Sequence, residues 1–488
     1  MEAVSNTDNN HQCWECRRRR LVCDGLVPVC TRCRTSRIVC PGYADKKPLT
    51  WLAPGRVISR NHKPKTTSLS TGRKKKTSHK PPAQDTNKSF EKLDITRRLE
   101  VLDLRPEAWD IVEAAVYYNS YVYPDLKTHD LGSSLFIQPA QTTLGDIPLS
   151  FVHTLVSVAL SHRIIQLSQG DTKLELVQPM SSSLYRHRGI AIRTIHELLG
   201  NEKTRREMPT LVSVYLFMIA VLQQSFTPRW RVHVDGFISL LNLNGSFLTM
   251  INESWLMRPC LMGLLITGIF ANTTTSPTRQ LHLTATKETL ALIQEHYTEV
   301  YYPPVACPHP LLNEMVLINQ LRSREPSTDT AQQGTEILTR IESFNPEEWA
   351  SSHKTLQETW LLMAKIYHDA TALFCILSLQ SSGIFRETPE LELARAKHAR
   401  ELFGLIEAGT STPKVKRRMT WALVVAGIEA ARAGREVQKY IGGCLRDVCR
   451  DQGLAATMVA KRALERFWDR GGTRWDECWE GEGYAFVL

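Results

Sequence analysis

Much that would mark an enzyme, a membrane protein or a fibre is missing from these 488 residues. There is no G-x-S-x-G nucleophile elbow, no G-x-x-x-x-G-K-[ST] phosphate loop and no G-x-G-x-x-G opening a helix. His196-Glu197 begins like a zinc-protease H-E-x-x-H but has no second histidine. The longest clean apolar runs, such as 211–222 (LVSVYLFMIAVL), fall short of the ~20 residues a bilayer span needs. The first residues (MEAVSNTDNNHQCWEC) hold no signal-peptide apolar stretch. The expectation is a chain of the cytosol or nucleus, with no membrane partner, where disulfides are disfavoured. Strand-like alternation is scarce. With 26 Gly and 24 Pro the chain is too poor in both for a fibrous repeat or wholesale disorder. Its 42% hydrophobic and 23% charged residues suit a soluble globular protein with room for two to four compact units.

Charge is the first positive signal. The net +10 is uneven: residues 1–100 hold 22 Lys/Arg against 9 Asp/Glu, and the rest hold 38 against 41. One end is built to meet a polyanion and the remainder is not.

Cysteine usage divides the chain at the same place. Of twelve cysteines, Cys260, Cys307, Cys375, Cys444, Cys449 and Cys478 are scattered among apolar neighbours and read as small buried hydrophobes. The other six, Cys13, Cys16, Cys23, Cys30, Cys33 and Cys40, spell C-x2-C-x6-C twice, offset by 17 residues. About 30 residues cannot build a hydrophobic core, and thiolates in a reducing compartment point to zinc. His11 lies outside the array and no histidine is interleaved. One tetrahedral zinc would strand two thiols, and two separate sites would need eight ligands. Six thiolates serve two ions if two of them bridge, and the symmetric choice is the first of each half, Cys13 and Cys30. A RING or LIM site wants eight ligands, usually with histidine. A disulfide framework wants a secretory signal.

Residues 13–40 (CWECRRRRLVCDGLVPVCTRCRTSRIVC) resemble the fungal Zn2Cys6 binuclear-cluster DNA-binding domain. All six ligand positions match, as do the basic run after the second cysteine, Asp24, the loop proline Pro28 and the trailing Pro41-Gly42-Tyr43 with Trp51. The resemblance implies a short helix and a strand-like stretch in each half, two structural Zn2+ ions and double-stranded DNA as partner. Arg17, Arg18, Arg19 and Arg20 cannot all point one way, so some grip phosphates and some reach base edges. Arginine's planar fork suits O6 and N7 of guanine. By resemblance Arg19 and Arg20 are the base-reading positions, while Arg17, Arg32 and Arg34 hold the backbone. CGG-type half-sites are likewise implied by resemblance. The family often has lysine where Val22 stands here.

Residues 59–89 contain only Leu69 and Ala83 as apolar residues and are expected to be disordered. Within them Arg73, Lys74, Lys75 and Lys76 form a compact basic cluster: a nuclear-import signal, an added phosphate-binding arm or a plain solvated linker. Residues 91–105 place Leu93, Leu99 and Leu102 at roughly helical spacing for two heptads. That is short for a coiled coil, so a monomer and a homodimer both stay open.

From about residue 101 the period is helical. Helices are expected at 147–167, around Ile192, Ile195 and Leu199, along the Trp230, Val234, Phe237, Leu241 stripe, and at 283–299, 355–380, 389–408, 418–441 and 453–469. His153, His162, His187 and His233 read as ordinary helix residues. The stretch 185–245, with Trp230-Arg231-Val232-His233 and 236–241, and the stretch 421–430, resemble the fungal-specific transcription factor regulatory domain. That family implies an α-helical module that controls activity. Residues 475–488 mix acidic and aromatic side chains, either as a docked tail or as an activation segment for a coactivator.

The layout expected is a small Zn2Cys6 domain at 1–45, a basic, mostly disordered linker at 46–100 and a large all-α domain of a dozen or more helices at 101–488. The function expected is sequence-specific regulation of transcription in the nucleus, without catalysis, over a metabolic or secondary-metabolite pathway. The alternative is a zinc-dependent protein-interaction adaptor with non-specific nucleic-acid affinity. An enzyme carrying a zinc-cluster appendage comes third.

Overall fold

The computed structural model describes residues 12–26, 30–36, 40, 106–123, 148–168, 178–224, 230–254, 257–281, 287–297 and 306–479. The linker with Arg73, Lys74, Lys75 and Lys76, the heptads at 91–105, the loop proline Pro28 and residues 480–488 lie outside the described residues. The chain divides into two compact units, 1–89 and 90–488. Every regular element among the described residues is helical.

The first unit repeats one local device. Helix α1 (Trp14–Arg19) opens on Cys13, whose Sγ accepts the Cys16 N–H at 3.4 Å. Helix α2 (Thr31–Thr35) opens on Cys30, whose Sγ accepts the Cys33 N–H at 3.3 Å. A sulfur thus takes the role that a hydroxyl or carboxylate usually takes at a helix start, and the sequence repeat becomes a structural one. Helix α1 stops where Arg20 turns left-handed (φ 55°) and the Leu21 N–H returns to the Cys16 carbonyl at 2.9 Å. The strand-like stretch expected after it is irregular: 21–26 form no strand. Among the described residues of this unit there is no strand for it to pair with.

The second unit contains α3 (Pro106–Tyr117), which runs on into a π-helical turn at Tyr118–Val122, α4 (Leu149–Ser168), α5 (Gln178–Gly200), α6 (Met208–Gln224), α7 (Trp230–Asn242), α8 (Phe247–Glu253), α9 (Arg258–Thr273) and α10 (Lys287–His296). It continues with α11 (His309–Arg322), α12 (Thr328–Ser343), α13 (Pro346–Ser351), α14 (Gln357–Ser381), α15 (Pro389–Ser411), α16 (Pro413–Lys416), α17 (Thr420–Ala433), α18 (Arg435–Gln452) and α19 (Ala455–Asp469). At the centre is α14. It packs against α11, α12, α13, α15 and α17 and is apolar nearly all round, as a helix enclosed by others must be. By length and composition α14 would pass for a membrane span, unlike the shorter runs seen in the sequence, but most of it is buried among these helices.

Where a helix has one wet face, the sequence pattern identifies it. Val234, Phe237 and Leu241 of α7 are fully buried, and Gly245 at φ +119° follows the helix end. Helices α9 and α11 were not anticipated, because they are buried on most sides and show no polar stripe to set a period. Two expectations need correction. Ile192 does not share the buried face of Ile195: it is 52% exposed, since neighbours cover only part of α5. The single helix expected at 418–441 is two, α17 and α18, broken at Gly434, whose φ of +97° suits glycine alone.

Polar groups inside this unit are paired across long sequence separations. The C-terminal carbonyls of α9 and the turn after it would be orphans. Buried Arg322 donates to the carbonyls of Asn272 (3.0 Å), Thr273 (3.0 Å) and Thr275 (3.3 Å), and to Asp476 Oδ1 (2.6 Å). Trp475 Nε1 donates to the Thr273 carbonyl at 2.7 Å, and Trp421 Nε1 to Thr273 Oγ1 at 3.0 Å. Residues 475–479 are therefore docked: Trp475 is wholly buried against Phe374, and Trp479 is buried beside it. The activation-segment reading does not hold for these residues, whose aromatic faces are turned into the core. His153 and His187, expected to be ordinary helix residues, form a buried pair with Nδ1 atoms 2.7 Å apart, and His187 Nε2 lies 3.1 Å from Asp110 Oδ2.

Candidate metal centre and nucleic-acid interface

The two helix starts place their sulfurs face to face. Cys13 Sγ lies 3.7 Å from Cys30 Sγ and 3.7 Å from Cys33 Sγ, and Cys16 Sγ lies 3.6 Å from Cys30 Sγ. A tetrahedral zinc with Zn–S of ~2.3 Å holds its sulfurs about 3.8 Å apart, so these separations suit ligands of a shared ion. The sulfurs form two tetrads, Cys13/Cys16/Cys23/Cys30 and Cys13/Cys30/Cys33/Cys40, which have Cys13 and Cys30 in common. Those are the two positions at which bridging thiolates would let six sulfurs complete two tetrahedra. Packed as thiols, Cys13, Cys16 and Cys33 resist ionisation. Burial first, then hydrogen bonds with Cys30 and Cys13, push Cys33 up to about 12. A divalent cation removes that penalty by stabilising the thiolate. Four of the six cysteines are buried, and among the described residues of this unit they make up its small core.

A second tie joins the halves. Both carboxylate oxygens of Asp24 accept the Thr31 N–H, at 3.1 and 3.0 Å, at the first turn of α2. Hydrogen bonding from Thr31 holds the Asp24 carboxyl below the usual carboxylate range. The sequence marked Asp24 only as a matching position. Its role depends on the approach of the two repeats, which spacing alone does not reveal.

Around this sulfur core the side chains of Arg17, Arg19, Arg20, Arg32 and Arg34 are exposed. Arg18 belongs to α1, and its side chain is outside the described residues. Arg19 and Arg20 close the first helix and Arg32 and Arg34 flank Cys33 on the second, so cationic groups leave the cluster from both halves. Val22, where a lysine was expected from the resemblance, is 80% exposed and adds no charge.

The family model for the fungal Zn(2)-Cys(6) binuclear cluster domain matches residues 11–49, and that for the fungal specific transcription factor domain matches residues 116–488. The chain belongs to the fungal zinc-cluster transcription factors. A relative from Leptosphaeria maculans, described as a phomenoic acid biosynthesis cluster-specific transcriptional regulator, is 31% identical over 504 residues. The match spans 99% of this chain and 91% of the relative. No solved structure matches. As a member of this family the protein is a DNA-binding transcription regulator whose cluster domain binds two structural zinc ions. The helical domain that makes up most of the zinc-cluster factor carries the match to the fungal specific transcription factor domain.

The scattered cysteines all belong to the second unit. Cys307, Cys375, Cys444, Cys449 and Cys478 are buried and Cys260 is half-buried. Burial pushes the Cys260 thiol up to about 12 and the Cys449 thiol up to about 11.

Proposed function

We propose that this zinc-cluster factor is a pathway-specific regulator that acts in the nucleus on a biosynthetic gene cluster; its relative is described as a biosynthesis cluster-specific transcriptional regulator. Cys13 and Cys30 bridge two zinc ions, Cys16 and Cys23 complete one tetrahedron and Cys33 and Cys40 the other. Arg19 and Arg20 read base edges in the major groove of CGG-type half-sites, with Arg17, Arg32 and Arg34 on phosphates and Arg18 a further DNA contact. Zinc here shapes the DNA-reading surface and no reaction is catalysed. Arg73, Lys74, Lys75 and Lys76 serve nuclear import. Homodimerisation on paired half-sites and contact with the transcription machinery fall to parts beyond the cluster.

The observation that carries this reading is the pair of sulfur tetrads sharing Cys13 and Cys30, with arginines leaving both halves of the cluster. The test is binding selection on random DNA with the full-length, zinc-loaded protein. Arg20→Ala should relax preference at one or two positions, at a cost of ~1–3 kcal/mol, whereas Arg32→Ala should weaken binding uniformly and flatten its salt dependence. Identical sequence profiles for wild type and Arg20→Ala would refute the assignment. Strong salt dependence without any sequence preference would favour the adaptor reading instead.

A further inference from the structure

A second group of metal-ligating side chains lies far along the chain, within the helical unit. Adjacent residues His368 and Asp369 of α14 meet His398 of α15. Asp369 Oδ1 is 3.1 Å from His368 Nδ1 and 2.8 Å from His398 Nδ1. His398 is 1% exposed and Asp369 6%. Phe344 stacks on the His368 ring with centroids 6.2 Å apart and closes one side.

The hydrogen bonding of this trio is oddly spent. One carboxylate oxygen serves both imidazoles, so each must donate through Nδ1. That leaves Nε2 of both rings buried with no hydrogen-bond partner, an arrangement that costs free energy in so enclosed a site. Glu342 of α12 brings Oε1 to 3.7 Å from His398 Nε2, beyond hydrogen-bond reach but with the right chemistry to accept from it.

We propose that His368, Asp369 and His398 bind a divalent transition-metal ion such as Zn2+, separate from the sulfur cluster, with Glu342 as the outer carboxylate of His398. Two imidazoles and one carboxylate are a recurrent donor set for such ions. One ligand atom from each residue lies within 4.8 Å of the other two. With metal–ligand bonds of ~2.0–2.2 Å, tetrahedral ligand atoms stand roughly 3.4 Å apart, so the two Asp369 contacts, at 3.1 and 2.8 Å, need to lengthen by only a few tenths of an ångström. The ion takes the Nδ1 lone pairs, and each imidazole's single proton moves to Nε2. On His398 that proton then faces Glu342, which gives the carboxylate–histidine–metal arrangement. The ion joins α14 to α15, and through Glu342 to α12, so metal supply would set how tightly these helices hold together.

The test counts ions in the full-length protein. After equilibration with excess Zn2+ and desalting, native mass spectrometry should find three zinc ions per chain in the wild type. The His368→Gln/His398→Gln double variant should hold two. Glu342→Gln should keep the cluster pair and weaken the third ion by about tenfold or more. A wild-type count of two, whatever the variants do, overturns the proposal. So does a third ion that survives in a double variant with unchanged far-UV circular dichroism.

Discussion

Replacing Arg322 by methionine removes a guanidinium that lies wholly inside the helical domain while keeping most of the side chain's volume. Arg322 caps three carbonyls at and beyond the end of α9 and pairs with Asp476. The Thr273 carbonyl keeps its bond from Trp475, but the Thr275 carbonyl loses the Arg322 donor, and Asp476 loses its cation. Breaking one side of a buried ion pair costs about 3–5 kcal/mol. Asp476 is 30% exposed, so part of its loss is recovered from water and the lower half of that range applies. Asp476→Asn leaves Arg322 its three carbonyls and should cost about 2 kcal/mol. Because the two share one interaction, the double variant should be more stable than the sum of the single losses by about 1–2 kcal/mol. A domain of this size unfolds with an entropy on the order of 0.8 kcal/mol/K, so Arg322→Met should lower the melting temperature by roughly 5 °C. Far-UV circular dichroism of the full-length protein reads this directly, since nearly all helix among the described residues belongs to the second unit. Strict additivity of the two substitutions, or an Arg322→Met chain that melts with the wild type, would show that the cap is not what holds the C-terminal segment in place.

Chelating zinc should unfold residues 13–40 and abolish DNA binding while leaving most of the far-UV helical signal, because the cluster's core is sulfur and the helical domain has its own apolar core; footprinting with parallel circular dichroism checks this. Burial first, then His187, Arg186 and Arg193, push the His153 imidazole down from 6.5 to about 4. The fold therefore favours the neutral ring, and this contribution is intact above pH 6.5 and lost as pH falls toward 4. Melting temperatures across that window should drop in the wild type and drop less in His153→Gln. A Cβ on Gly427 of α17 would press into the buried Leu464 side chain, whereas one on Gly236 of α7 meets nothing within 4 Å. Gly427→Ala should destabilise by about 1–3 kcal/mol and Gly236→Ala stabilise by up to ~1 kcal/mol, both read by urea denaturation.

The cysteine cluster was legible because everything that builds it is close in sequence: two Cys-capped turns, 17 residues apart, and the coordination arithmetic of zinc. Helix α7 was legible for a similar reason, one apolar stripe against one wet face. The shared tetrads and the Asp24 tie to Thr31 needed the two repeats to approach each other. In the helical domain the gap widens. A lone arginine or a His-Asp pair in a helical stretch reads by default as a solvated group, since charged residues are rarely buried without partners. Arg322 found its partners 47 to 154 residues away, and His398 met Asp369 across 29 residues. Local spacing and ligand chemistry thus decided the metal cluster and the helical character of the rest. Which charges went inside, which faces were covered and where one apparent helix became two were decided by tertiary packing, because burial depends on neighbours that the chain brings in from far away.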